Sequence, residues 1–189
     1  MKKTLVINAN PKSSSFCQSL AEHYVQQASS HKEVRLLQLK DLQFQADLTQ
    51  GYDEIQPLEA DLAFVQQQLL WAEHIVFICP VWWGGMPAKL KGLFDRVLLP
   101  GFAFAYQSGK SIPDRLLQGR TSELLFTLDT PVWLYKWWQG NPLHFQLSRT
   151  ILGFVGIQNR ATHYFGPVIS ADDKQRKRWL EKVQKLAER

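Results

Sequence analysis

One stretch in the middle of the chain limits the fold more than any other feature. Residues 74–79 read His-Ile-Val-Phe-Ile-Cys, apolar at every position after the histidine, and the run ends at Pro80. A strand with one face in water alternates apolar and polar residues, whereas a strand covered on both faces has no need to. The run therefore predicts a strand inside a parallel sheet that helices cover on both sides.

Strands and helices alternate along the rest of the chain. Such alternation implies βαβ crossovers and a parallel sheet, and five strands in one small domain favour a doubly wound sheet of order 2-1-3-4-5. The fold class is thus α/β, with helices on both faces of the sheet and a single domain over residues 1–189. The predicted strands are 4–9, 33–39, 74–79, 120–128 and 157–165, the predicted helices are 16–28, 58–69, 89–98, 143–155 and 171–188, and residues 41–57 are predicted to be a long loop.

Composition narrows the class of protein. The 189 residues are 45% hydrophobic and 21% charged, and 22 Lys and Arg against 17 Asp and Glu give a formal net charge of +5. These values exclude a disordered chain, a collagen and a coiled coil, and the length suits one domain with its own core. Because Cys17 and Cys79 lie far apart and form no C-x-x-C motif, we expect neither a metal site nor a disulfide framework.

The sequence carries no signal for secretion, membrane insertion or nucleic-acid binding. The first apolar run ends at Asn8, which is too short for a signal peptide, and the uncharged stretch 75–88 is broken by Pro80 and falls short of a membrane span. The basic cluster at 174–178 is typical of a solvated helix face, and no base-reading motif accompanies it. We expect a cytoplasmic protein, with peripheral docking on a partner left open.

The segment after the first predicted strand is suited to an anion. In this sheet order, ligands bind outside the carboxyl ends of the first and third strands. Residues 10–16 read Asn-Pro-Lys-Ser-Ser-Ser-Phe, and serine hydroxyls together with the N–H groups of a helix start suit a phosphate. A G-x-G-x-x-G dinucleotide motif is excluded, since residues 1–50 contain no glycine. Taken alone, such serines are more often helix N-caps.

The segment after the third predicted strand is suited to a flat ring. Residues 80–87 read Pro-Val-Trp-Trp-Gly-Gly-Met-Pro. Glycines let the backbone approach a planar ligand closely, and tryptophan rings supply an apolar wall. The alternative is a pair of core tryptophans. A phosphate site and a ring site at one sheet edge together indicate flavin mononucleotide (FMN).

The stretch from Ala72 to Val97 resembles the signature region of the flavodoxin-like NAD(P)H:quinone oxidoreductases. That family includes DT-diaphorase, the bacterial modulator of drug activity B proteins and the ancillary subunits of potassium-efflux systems. The match continues through Gly-Phe-Ala-Phe-Ala-Tyr at 101–106 and is found again at 10–17. The resemblance implies a flavodoxin-like fold and a bound flavin that carries a hydride from NAD(P)H to a quinone.

The resemblance also implies roles for individual residues. Those on the phosphate side of the flavin are Asn10, Phe16 and Cys17, joined by Ser14 and Ser15 from the serine cluster. Those on the ring side are Pro80, Val81, Trp82, Trp83, Gly84 and Gly85. Phe104 and Tyr106 fall where aromatic residues of a partner subunit line the quinone pocket.

Two stretches depart from the family pattern. Many members have Thr-Thr-Gly-Gly after the fourth strand, whereas this chain has Thr127-Leu-Asp129-Thr130-Pro; the two threonines are candidate donors to the ring, and Asp129 is a candidate acceptor. The Tyr and His of the mammalian proton relay have no clear match, so Tyr135 and His144 are the nearest catalytic candidates, and structural roles fit them better. The chain lacks the C-terminal extension of the FAD-binding members, which favours FMN and leaves FAD open.

Two functions follow. The first is an FMN-dependent NAD(P)H oxidoreductase that acts on a quinone or similar planar acceptor, in which the cofactor performs the chemistry and no catalytic triad is needed. The alternative is a flavin-binding ancillary subunit that docks on a larger partner such as a potassium-efflux system. The many aromatic residues that follow the strands predict a homodimer.

Overall fold

The computed structural model describes residues 1–109 and 111–189, and within these residues five parallel strands form one sheet. Numbered in chain order among themselves, the five strands of this sheet lie in the predicted order 2-1-3-4-5. The α/β fold with a doubly wound parallel sheet is therefore confirmed. The sheet strands are β1 (Lys3–Asn8), β2 (Glu33–Gln38), β3 (His74–Pro80), β6 (Thr121–Thr127) and β7 (Gln158–Phe165). Two short strands, β4 (Phe104–Ala105) and β5 (Asp114–Arg115), form a separate antiparallel hairpin.

Helices connect the strands on both faces of the sheet. In the described residues they are α1 (Phe16–Ala28), α2 (Ala60–Trp71), α3 (Ala88–Val97), α4 (Pro142–Phe145), α5 (Leu152–Val155) and α6 (Asp173–Ala187). A π-helical stretch, Gln146–Ile151, joins α4 to α5, so the predicted helix 143–155 is one continuous helical segment. A second π-helical segment, Leu134–Trp138, and the β4–β5 hairpin have no counterpart in the sequence prediction.

The apolar run of β3 is explained by two separate cores. Ile75, Phe77 and Cys79 pack against α2, α3 and the α4–α5 segment. Val76 and Ile78 point the other way and pack against α1 and α6. Because successive side chains of a strand alternate between faces, a strand between two cores must be apolar at every position.

One face of α3 contacts the long segment between a 3₁₀ turn, Leu39–Asp41, and α2. Lys89 Nζ donates to the Leu42 carbonyl at 2.7 Å. A Cβ on Gly92 would lie 2.6 Å from the Cβ of Ala46, so α3 and this segment approach each other so closely that only glycine fits. Since positions three and four apart share a helix face, residues 89, 92 and 96 together order the predicted loop.

Arg96 is the strongest of these anchors, and it is fully buried. Its guanidinium donates to the carbonyls of Gln45 and Pro57 at 2.6 and 2.8 Å, and to Glu59 Oε2 at 2.9 Å. Burial raises the pKa of Glu59, but hydrogen bonds from the Gln45 N–H and from Arg96 outweigh it and hold this pKa below its usual value. Arg96 therefore closes both ends of the segment through one charged group.

Replacing Arg96 tests this anchor. Arg96→Met should lower the free energy of unfolding by about 3 kcal/mol, because it removes a buried guanidinium and leaves two carbonyls and a carboxylate in partly buried hydrogen bonds without their donor. Denaturant unfolding and limited proteolysis should show the loss, with new cleavage between residues 42 and 59. Lys91→Met, on the exposed side of the same helix and paired with Asp95 at 2.7 Å, is the control and should change stability by at most about 0.5 kcal/mol.

The contribution of the Arg96–Glu59 pair to the free energy of unfolding should depend on pH. Because the pKa of Glu59 is lowered in the folded protein, its stabilising contribution is present above the ordinary Glu range and is lost as the pH falls through the folded value. The stability gap between the native chain and Arg96→Met should accordingly shrink on acidification. A gap that stays constant from neutral to acid pH would contradict the proposed anchor.

Candidate functional site

The loops that leave β1, β3 and β6 meet at the carboxyl edge of the sheet, because β3 pairs in parallel with both of its neighbours. The Ala9 N–H donates to the Ile78 carbonyl at 2.9 Å, and the Val81 N–H donates to the Thr127 carbonyl at 2.8 Å. Backbone hydrogen bonds thus fix the three loops against one another beyond the last paired residues. The structure brings together the two segments that the sequence predicted as phosphate and ring sites.

The loop after β1 is shaped by its asparagines. The Asn10 N–H donates to Asn8 Oδ1 at 3.2 Å, and Asn10 Oδ1 accepts from the Lys12 N–H at 3.0 Å. Ser15 is the N-cap of α1, and its hydroxyl accepts from the Gln18 N–H at 3.2 Å, whereas Ser14 is exposed. Ser15 is thus a helix N-cap, and phosphate binding by Ser14 stays a prediction.

Phe16 and Cys17 lie at the start of α1, on its buried side. The Phe16 ring packs against Trp179 of α6 at 5.5 Å between centroids, and the Arg176 guanidinium lies 5.8 Å from the same ring. Arg176 thus adds a positive charge beside the helix N-terminus. This role of Arg176 could not be predicted from sequence, because the residue belongs to the basic cluster 174–178, whose members Lys177 and Arg178 are exposed.

The Cys17 thiol connects α1 to the end of β6. Its sulfur lies 3.1 Å from Thr127 Oγ1, and both residues are buried. Burial raises the pKa of Cys17 to about 11. The thiol is therefore protonated at neutral pH and is a packing and hydrogen-bonding group, not a reactive thiolate.

The loop after β3 is a tight two-residue turn. The Trp82 N–H donates to the Gly85 carbonyl, and the Gly85 N–H donates to the Trp82 carbonyl, both at 2.9 Å. The central residues have φ values of 52° at Trp83 and 76° at Gly84, as in a type I′ turn. Pro80 is buried at the end of β3, while Trp82 is partly exposed and Trp83 is fully exposed. The turn thus offers two indole rings and a backbone edge to a ligand.

Tyr135 supports this turn from the side. Its buried hydroxyl donates to the Gly84 carbonyl at 3.2 Å and accepts from the Leu143 N–H at 3.1 Å. Burial raises the pKa of Tyr135 to about 12. The hydroxyl joins the turn to the first residues of α4 and so positions it. The catalytic role suggested by resemblance stays a prediction, and these contacts favour a structural role.

His144, the other catalytic candidate, faces β7. Its Nδ1 lies 3.0 Å from Thr162 Oγ1. Burial, with Arg149 and Lys136 nearby, lowers its pKa, so the imidazole is neutral at physiological pH. This contact also favours a structural role.

In the loop after β6, Asp129 forms a contact with a distant loop. Asp129 Oδ1 accepts from the Ile169 N–H at 2.8 Å and ties this loop to the one after β7. Thr130 is half-buried beside it. Contact of Asp129 or of the two threonines with a ring remains a prediction, and one carboxylate oxygen of Asp129 is already engaged.

Phe104 and Tyr106 lie at the opposite edge of the sheet. Phe104 is buried against Phe154 of α5 at 5.2 Å and against Tyr106 at 5.6 Å, and the next residues after Phe154 lead into the start of β7. Tyr106 is 68% exposed. Their role in a quinone pocket, contributed from a second copy of the chain, stays a prediction.

The described part of the chain shows no metal-binding group and no membrane-spanning helix. In residues 1–109 and 111–189, no three His, Cys, Asp or Glu side chains are grouped so that they can hold a metal ion. No helix in the same residues has the length and hydropathy needed to cross a bilayer.

Comparison with known proteins identifies the family of this chain. The profile of a family described by its flavodoxin-like fold matches residues 2–187. An uncharacterised NAD(P)H oxidoreductase of Haemophilus influenzae is 31% identical over 186 residues, covering 94% of this chain and 90% of that protein.

Solved structures show the same fold. The NAD(P)H:quinone oxidoreductase of Methanothermobacter marburgensis superposes with a TM-score of 0.80 at 23% identity, over 99% of this chain and 95% of that one. An FMN-dependent NADH-azoreductase of Bacillus anthracis, solved with FMN, gives a TM-score of 0.74 at 19% identity, over 100% and 98% of the two chains. With a family profile that spans nearly its whole length and a homologous NAD(P)H oxidoreductase, this chain belongs to the flavodoxin-like family.

Proposed function

We propose that the protein is an NAD(P)H oxidoreductase that binds FMN at the carboxyl edge of its sheet and reduces a quinone or a similar planar acceptor. The observation that carries the proposal is the fixed juxtaposition of the Trp83–Gly84 turn with the start of α1. The name of the Haemophilus relative supports the activity, and the FMN-bound azoreductase supports the cofactor. The use of NAD(P)H implies a cytoplasmic protein.

Two segments of the chain would bind the two ends of FMN. The N–H groups at the start of α1, the Ser14 hydroxyl and the charge of Arg176 suit a phosphate. The Trp82–Gly85 turn suits the edge and face of the ring system. Bound FMN would supply the hydride transfer itself. The protein then needs to hold the ring, exclude water and leave one face open for NAD(P)H and the acceptor in turn.

The exposed tryptophans favour the second candidate, an ancillary subunit that docks on a larger partner. Trp133, Trp137 and Trp138 are 64%, 80% and 77% exposed, and exposed aromatic surface of this kind is typical of interaction sites. This candidate keeps the flavin site but does not require rapid turnover by the isolated protein.

One pair of measurements tests the proposal and separates the two candidates. An absorbance spectrum of the purified protein should show flavin bands, and NADPH oxidation with menadione should proceed catalytically. Flavin bands without turnover would support the ancillary subunit. A protein that neither retains flavin nor binds added FMN would contradict both.

The two serines offer a matched pair of changes. Ser14→Ala should weaken FMN binding by about 1 kcal/mol, the scale of a single hydrogen bond, without changing thermal stability. Ser15→Ala should lower stability by about 1 kcal/mol, because it removes the N-cap of α1. Fluorescence titration with FMN and denaturant unfolding give the two quantities. If Ser14→Ala leaves the affinity unchanged, the phosphate does not lie on its hydroxyl.

The turn at Gly84 can be tested against a control with the same backbone conformation. Gly84→Val should abolish FMN binding, since a branched side chain would stand on the proposed ring surface and strain a φ of 76°. A Cβ there meets only Pro142 Cγ, at 3.6 Å, so the surrounding structure itself has room. Gly51→Val carries a similar penalty at a φ of 58°, where no atom lies within 4 Å of the added Cβ, and Gly51 lies outside the loops after β1, β3 and β6.

The comparison isolates the cofactor effect. Both variants should lose similar stability, measured by thermal unfolding, but only Gly84→Val should lose flavin absorbance. Equal retention of FMN by the two would show that the turn does not hold the ring.

We also propose a homodimer. Tyr106 at one edge of the sheet and Trp83 at the other are both exposed, and a two-fold axis brings the same pair of surfaces together twice. The arrangement would place Tyr106 of each copy near the FMN site of the other. Sedimentation at micromolar concentration should give a dimer, and Tyr106→Arg should weaken it and lower turnover together. A native monomer with full activity would contradict the proposal.

A further inference from the structure

A basic groove runs along the amino half of β7, at the opposite edge of the sheet from the proposed flavin site. It consists of two clefts of about 540 and 520 Å³ that share Arg115, Gly156 and Gln158. The first cleft adds Arg120 and Arg160, and the second adds Arg149. Of the described residues that line the two clefts, four are arginines and none is acidic.

The backbone of β7 directs one of these arginines. In the pairing of β6 with β7, Ser122 lies opposite Asn159 and Glu123 lies opposite Ala161, so Arg160 is an extra, unpaired residue. Such a bulge bends an edge strand and redirects a side chain, and bulges are frequent beside binding sites. In the amide orientation that satisfies both of its ends, Asn159 donates to the carbonyls of Ala161 and Ser122 at 3.1 and 3.3 Å. The bulge is therefore a fixed feature.

Gly156 forms the floor where the two clefts meet. It ends α5 with a φ of 99°. A Cβ at this position would lie 2.8 Å from Gln118 Cγ and 3.1 Å from Arg115 Cβ. The missing side chain lets the segment after β5 pack directly on the end of α5 and brings Arg115 to the centre of the groove.

Two of the four guanidinium groups are held in place by contacts that do not neutralise them. Arg120 donates to the carbonyls of Leu69 and Leu70 at 2.8 and 2.9 Å, which caps the end of α2 and keeps its charge. Arg149 stacks on the Phe145 ring at 4.6 Å, which leaves the N–H groups at its edge able to donate. Within residues 1–109 and 111–189, Arg115 and Arg160 form no salt bridge with a carboxylate.

We propose that this groove binds a small soluble molecule that carries two phosphate groups. Four positive charges without a carboxylate favour a ligand with several negative charges, and guanidinium forks match phosphate oxygens in two-point contacts. The division into two clefts around a shared Arg115 suits two phosphates in sequence. The four arginines of the groove lie outside the loops after β1, β3 and β6, so ligand binding here is measured separately from flavin content.

Inorganic pyrophosphate is the probe for this site. Calorimetric titration of the purified protein at low ionic strength should show saturable binding to one site per chain, weakened by added salt. The double variant Arg115→Gln/Arg160→Gln should bind at least about tenfold more weakly, the loss expected for charged hydrogen bonds. The variant Lys177→Gln/Lys185→Gln removes the same charge from the exposed face of α6 and should bind like the native protein.

Several results would overturn the proposal. One is the absence of saturable pyrophosphate binding to the native protein. Another is an equal loss of affinity in the two double variants, because binding would then depend only on the overall charge of the protein. A phosphate-bearing lipid is the other source of this chemistry, so sedimentation with phosphatidylglycerol vesicles is the second arm. Vesicle binding that needs Arg115 and Arg160 but is not displaced by pyrophosphate would also overturn it. Circular dichroism and flavin content show whether each variant is folded, separately from activity.

Discussion

The burial of β3 on both faces is the constraint on which the rest of the structure depends. All seven residues from His74 to Pro80 are buried, and the strand pairs in parallel with β1 on one side and β6 on the other. Because this strand cannot face water, helices must cover both sides of the sheet. The parallel pairing then places the loops after all three strands at one edge. The position of the candidate site is thus a consequence of core packing before any side chain of the site is considered.

Hydrogen bonds between residues distant in sequence fix the shape of the loops at this edge. The β3 turn is closed by its own backbone, joined to β6 through the Val81 N–H and supported by the Tyr135 hydroxyl. The helix after β1 is bound to β6 through Cys17 and Thr127. Each loop is therefore held by an element distant in sequence. A ligand placed between them would meet a surface whose geometry is already set, so little ordering entropy would be lost on binding.

The strand order and the two site loops could be predicted from sequence because their signals are local. Apolar runs, the serines before α1 and the Trp-Trp-Gly-Gly turn each lie within a few residues of one another. The role of Tyr135 could not, since it depends on Gly84 and Leu143 meeting through the fold. The bulge at Arg160 could not be predicted either, because it is defined by the register of β7 against β6. The segment after residue 41 reads as a loop until Arg96 is seen to hold both of its ends.

Three buried titratable groups near the candidate site are held neutral, and this bears on how the site would work. Burial raises the pKa of Cys17 to about 11 and that of Tyr135 to about 12, and it raises that of Cys79 well above its usual value. None of these groups can then serve as a general base at neutral pH, since each would have to lose a proton it holds tightly. These three groups therefore contribute packing and hydrogen bonds to this edge, and the proposed redox chemistry would come from what the loops bind and where they place it. The fixed turn at Trp83 and Gly84, more than any acid or base, is the feature that a redox cofactor would require of this chain.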